Sequence, residues 1–179
     1  MRHKEIVKAL KMKKHNFPAE ITCQFEQIVE KYENGSGSEM DKRFVEKMDE
    51  LLTEEQRLML WEYGGSCTGG ATGKAVKAFA LEHGDKPLPM KIDLLKDLGH
   101  MYRHQVNEDG TITVFCFCHC LSLRSKKPPK PPSYYGCAAG AALQNFKIAL
   151  GTKVKIKSIN YPSENHGDEP ISFIMEIAE

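Results

Sequence analysis

Three of the chain's six cysteines fall in one short run, FCFCHC at residues 115–120. Cys116, Cys118 and Cys120 take every second position, with His119 between the last two. Three chemistries fit such a run: thiolates holding a metal, thiols doing redox work, or small apolar residues along one face of a strand. Residues two apart in a strand point the same way, so the three cysteines share a face with Ile112 and Val114. Cys116 then continues the apolar row into the core. Cys118 and Cys120 stand where the strand gives way to a loop, within reach of one ion. Cys137 opens a helix, where the N-terminal dipole favours a thiolate. Cys67, in a glycine-rich loop, offers a fourth ligand. A tetrahedral sulfur-rich set suits zinc, with iron as the alternative. Zinc ribbons and fingers place two residues between paired cysteines and this chain has one, so spacing alone does not separate the three chemistries. His119 points away from its neighbours in a continuing strand and is left out of the ligand set. Cys23, on an amphipathic helix, reads as core.

The totals narrow the setting. With 179 residues, 41% apolar and 27% charged, the chain can fill one core of ordinary composition. A formal net charge of +1 gives no basic excess for nucleic acid. No apolar run is long enough to span a bilayer. The basic start MRHKEIVKALKMKKHN lacks an apolar region and a small-residue cleavage site, so it is not read as a secretory signal. A cytoplasmic, reducing location is expected, where a cysteine cluster is metal-binding or catalytic rather than disulfide-bonded.

The elements that must position these residues follow from period. Residues 6–14, 23–32, 39–52 and 54–63 carry apolar residues at helical spacing, with Thr53 and Ser38 as N-caps. The break NGSGS (34–38) sets off a helical extension, residues 1–37, too short to bury a core of its own; residues 38–179 form the main domain, one compact unit with the extension. GGSCTGGATGK (64–74) reads as a loop, followed by helices over 75–84 and 89–99. Its likeness to a phosphate loop fails at Thr68 and Ala75. A hairpin over 100–106 and 111–118 turns at NEDG (107–110). The proline-dense RSKKPPKPPS (124–133) leads into a helix over 137–151, with Ala139, Leu143, Phe146 and Leu150 on one face. Strands at 154–159 and 171–177 complete a β-β-α-β-β half. The fold class expected is α+β, a helical N-terminal half packed on an antiparallel sheet.

Several of these stretches together resemble the 4-vinyl reductase family of small-molecule or hydrocarbon-binding domains. The matching pieces are WEYGGSC (61–67), CHC (118–120), YGCAAG (135–140), LGTKV (150–154) and HGDEPISFIMEI (166–177), spanning roughly residues 54 to 177. The resemblance implies helices packed on an antiparallel sheet, a pocket between them, frequent dimers, and ligand binding or sensing rather than catalysis. Cysteine-rich members carry further cysteines where this chain has Tyr135 and Ile171–Ser172. A metal site of the family's kind therefore implies Cys67, Cys118, Cys120 and Cys137 here.

The leading reading is a cytoplasmic metal-binding module, with zinc as the metal, that also takes a small apolar or aromatic molecule and can form a homodimer. An enzyme is the alternative, using metal-bound water or Cys137 as nucleophile, with His119, His166 and Asp168 as acid–base candidates. A regulatory protein with merely buried cysteines is the third. His3, His15, His83, His100 and His104 are read as surface residues, and Trp61, Tyr63 and Phe79 as core.

Overall fold

Thr53 starts a helix in the way its type and position predict. Its N–H donates to Gln56 Oε1 at 2.9 Å, and the Gln56 N–H donates to Thr53 Oγ1 at 3.3 Å. This reciprocal cap opens α4 (Glu54–Gly64). The computed structural model describes residues 2–35, 37–65, 70–95, 102–116, 133–161 and 171–178. Among them are seven α-helices, mostly in the first half, and a four-stranded antiparallel sheet in the second, so the chain is an α+β protein.

Ahead of α4 lie α1 (His3–Leu10), a 3-10 turn (Lys13–His15), α2 (Ala19–Tyr32) and α3 (Gly37–Leu51). Because α3 begins at Gly37, Ser38 stands inside the helix and not at its cap. Next come α5 (Gly70–His83) and α6 (Leu88–Leu94). The glycine-rich loop is shorter than expected because α5 absorbs residues 70–74. Gly73 is buried in line with Val76 and Phe79, three residues apart, so the buried stripe extends backwards through the glycine. The order ends with β1 (Tyr102–Val106), β2 (Ile112–Cys116), α7 (Ser133–Leu150), β3 (Lys153–Asn160) and β4 (Ile171–Ala178).

The backbone divides into two compact units, Met1–Ser66 with Lys130–Gly140, and Cys67–Pro129 with Ala141–Glu179. In the first, Ile6, Ala9 and Leu10 of α1 and Phe25 of α2 join Phe44, Val45, Met48, Leu60 and Trp61 in one core. The N-terminal helices thus share the core of α3 and α4. Trp61 is fully buried and sits against the start of α7. A Cβ at Gly136 would lie 2.1 Å from the Trp61 Nε1, and one at Gly140 would lie 2.0 Å from the Trp61 carbonyl oxygen. Only glycine leaves room at either position. The indole N–H finds no acceptor among the described residues. An unmade buried hydrogen bond costs about 1–3 kcal/mol. Burying a tryptophan, roughly 150–250 Å² at ~25 cal/mol per Å², is worth about 4–6 kcal/mol. Packing wins. Nearby, the Ser133 hydroxyl donates to Asp49 Oδ1 at 2.8 Å, anchoring the first turn of α7 to α3.

In the second unit the sheet runs β1-β2-β4-β3. Ile112, Val114 and Cys116 of β2 stand opposite Met175, Phe173 and Ile171 of β4, and all six are buried. The rows expected from the period-two pattern are the rows that pair. At the other end of α7, the ammonium of Lys91 on α6 donates to the Leu150 carbonyl at 3.2 Å, a cation on the negative end of the helix dipole. Along β3, Lys153, Lys155 and Lys157 are exposed, and Val154 is buried. The register with β4 slips between Ile156 and Ser158, making Lys157 an extra residue. The bulge sets Ile159 opposite Phe173, on the core face, although simple alternation from Val154 would turn it outward.

Gly140→Ala should lower stability in urea unfolding by about 1–3 kcal/mol, since the obstructing atom is backbone. Gly37→Ala, with nothing within 4 Å of its Cβ position, should stay within about 0.5 kcal/mol of wild type. Equal stability of the two variants would mean that Trp61 does not need the gap.

Candidate functional site

Of the four predicted metal ligands, Cys67, Cys118 and Cys120 lie outside the described residues, as do His100, His119, His166 and Asp168. Cys137 is described. It is the fifth residue of α7, in the second turn, and not at the helix start as expected. The helix begins four residues earlier because Ser133 finds its cap on Asp49, 84 positions away in sequence. No local pattern reveals such a partner. Past the first four residues the N–H groups have helical acceptors, so Cys137 is beyond the exposed end of the dipole. Its side chain is half-buried, packed against the core of the first unit beside the Trp61–Gly136 contact.

The other two described cysteines differ from it. Cys116 is 2% exposed and belongs to the sheet core, as the alternation of β2 predicts. Cys23 is exposed and accepts a bond from Gln27 Nε2 at 3.5 Å. Its reading as core was incorrect: the buried stripe of α2 passes through Thr22 and Phe25, which turns Cys23 to solvent. Among the described residues, no three His, Cys, Asp or Glu side chains converge as a metal site. A sulfur-bound ion needs a reachable thiol on a fixed backbone. Cys23 and Cys137 both meet these conditions, and of the two only Cys137 belongs to the predicted ligand set.

The described histidines are not the loose surface groups expected. His3 Nε2 lies 2.9 Å from Asp41 Oδ1, though its N–H is not aimed squarely at the oxygen, and the ring stands edge-on to Phe44 at 4.8 Å. His83 contacts Phe79 at 4.6 Å between ring centres. His104, on β1, bonds the Ile92 carbonyl at 2.9 Å and meets Phe146 edge-on at 6.1 Å. His15 Nε2 lies 3.2 Å from the Tyr63 hydroxyl, with the Lys14 ammonium 5.6 Å over the same ring. Burial holds His15 below the usual histidine range, Lys14 lowers it further, and Glu62 opposes both. The partners of His3, His15 and His104 lie on other elements, so single positions gave no sign of them, whereas Phe79 stands one turn before His83 on the same helix. Sequence reasoning also missed a groove of about 590 Å³ beside the end of α1, the 3-10 turn and α2.

No family model and no curated protein matches this chain. Among solved structures it is similar to an H-NOX protein from S. oneidensis in the Fe(II)NO ligation state, at 10% identity and a TM-score of 0.42, with all of both chains covered. A likeness so distant decides neither fold nor ligand. No described helix is long and apolar enough to cross a membrane.

The His15 environment has a testable sign. Its folded-state pKa lies below the unfolded value, so both states are neutral well above about pH 6.5 and the group contributes nothing there. Below that, the unfolded chain takes the proton first, and stability falls as pH falls. His15→Gln should flatten the decline in urea midpoint between about pH 7.5 and about pH 5. An unchanged slope would show that burial and the neighbouring Lys14 do not hold the ring neutral.

Proposed function

We propose that this chain is a metal-binding module, zinc before iron, whose ion is held by Cys118, Cys120 and Cys137 with Cys67 as fourth ligand, and that it binds or senses a small apolar molecule. The observation that carries the reading is Cys137: a half-buried thiol, seated on a helix fixed by Trp61 and by the Asp49–Ser133 bond. The direction of β2 supports it, because Cys116 ends the strand facing the core and the run continues with Cys118 and Cys120. The resemblance to 4-vinyl reductase domains is compatible with the same ligand set. Four thiolates would close the coordination sphere and leave no position for water, which favours a structural ion over a catalytic one. Such an ion supplies a cross-link among distant segments and stabilises the folded chain. The residues themselves supply the orientation: Gly136 and Gly140 let α7 approach Trp61, and this sets the height at which Cys137 is presented.

Elemental analysis of protein purified without chelator or affinity metal tests this, beside Cys137→Ser and a Cys118→Ser/Cys120→Ser pair. About one equivalent of zinc or iron is expected in the wild type, and loss from both variants, with circular dichroism confirming that they fold. Alkylation of Cys137, followed by mass spectrometry, should be slow until a chelator is added. Metal-free wild type, or full occupancy in Cys137→Ser, would overturn the proposal.

A further inference from the structure

The chain reverses direction between α1 and α2 within a few residues. Lys11 ends α1, Lys13–His15 form the 3-10 turn, Asn16 adopts a left-handed backbone with φ of 51°, and Pro18 leads into α2. The reversal leaves the groove of about 590 Å³, lined by Leu10, Met12, Phe17, Thr22, Lys11 and Lys13 among others. This volume lies in the range of small-molecule sites, roughly 300–1,000 Å³.

Its lining is unevenly matched by the protein. Leu10 is almost fully buried, whereas Met12 is 37% exposed, an apolar surface left to water. The basic groups nearby are mostly engaged. Lys11 pairs with Glu26, and the Lys14 ammonium lies over the Tyr63 ring. Lys13 is exposed and has no acidic partner among the described residues. An uncompensated ammonium beside an uncovered apolar wall matches a molecule with one negative group and one apolar part. A wholly apolar guest would bring nothing to pair with that ammonium while removing some of its water.

We propose that this groove binds a small amphipathic anion from free solution, with its apolar part against Leu10, Met12 and Phe17 and its carboxylate or sulfonate paired with Lys13. The inference rests on the ligand-binding half of the proposed function and not on the metal. It places the ligand among the N-terminal helices, away from the pocket between helices and sheet that the family resemblance implies.

Calorimetric titration of the full chain with octanoate and with octanol tests it. Octanoate should bind, and octanol about tenfold more weakly, the worth of one charge-assisted hydrogen bond. Lys13→Gln should weaken octanoate about tenfold and leave octanol unchanged. Met12→Asp, which sets a negative charge in the groove, should abolish octanoate binding, whereas Lys8→Gln, whose lysine pairs with Glu5, should not alter it. The Cys118→Ser/Cys120→Ser pair should keep octanoate binding, so a failed metal site leaves this result standing. Absence of octanoate binding, or equal affinity in wild type and Lys13→Gln, would overturn the proposal. So would Lys13-dependent attachment to phosphatidylglycerol vesicles without binding of free octanoate, which would point to a membrane surface instead.

Discussion

Trp61 can lie where it does because residues 136 and 140 have no side chains. Two glycines in a helix interior cost about 1 kcal/mol each relative to alanine, less than the buried indole returns. The sequence GCAAG therefore serves contact first and helix stability second. Cys137 falls between the two glycines, so its placement follows from the same fit. Small residues continue along the helix as Ala138, Ala139, Ala141 and Ala142, all buried. Alanine is also the best helix former, so apart from the two glycines the segment keeps its helix propensity while staying thin enough for close packing.

The salt bridges of the N-terminal segment have a different weight. Lys4 meets Glu33, Lys8 meets Glu5 and Lys11 meets Glu26, each with a largely exposed ammonium. Pairs of this kind contribute about 0–1 kcal/mol and weaken with salt. These helices are held together instead by apolar groups: Ile6, Ala9 and Leu10 of α1 and Phe25 of α2 share one buried core, in which Phe25 meets Phe44 of α3 at 4.8 Å between ring centres. α1, α2 and the residue that ends α2 supply counter-charges to three lysines of this basic stretch.

Much of the fold was legible because its signals are short-range. Thr53 and Gln56 announce α4 within four residues. The rows Ile112–Val114–Cys116 and Ile171–Phe173–Met175 announce two strands, which lie side by side in the sheet with these rows on one face. Where the reading slipped, packing or pairing context decided, once through a partner 84 positions away. Ser133 is helical because of Asp49, Gly73 because its position extends the stripe of Val76 and Phe79, and Ile159 faces the core because β3 bulges at Lys157. Of the predicted ligands only Cys137 lies among the described residues, one turn further into α7 than its sequence position suggests. Alternation assigned Cys116 correctly; Cys23 was misassigned because an amphipathic pattern was read without fixing which stripe is inward. The ligand set itself depends on long-range closure, which no local spacing encodes.

The lysines of β3 have a consequence for assembly. A strand at the border of a sheet offers unpaired amide and carbonyl groups, and a second molecule can extend the sheet there. Lys153 and Lys155 place exposed ammonium groups along that strand, and the bulge at Lys157 bends it out of line. A second copy arriving antiparallel would bring its own lysines against these, a like-charge stack that repels at every approach. The charges and the bulge together disfavour extension of the sheet by a second copy along β3.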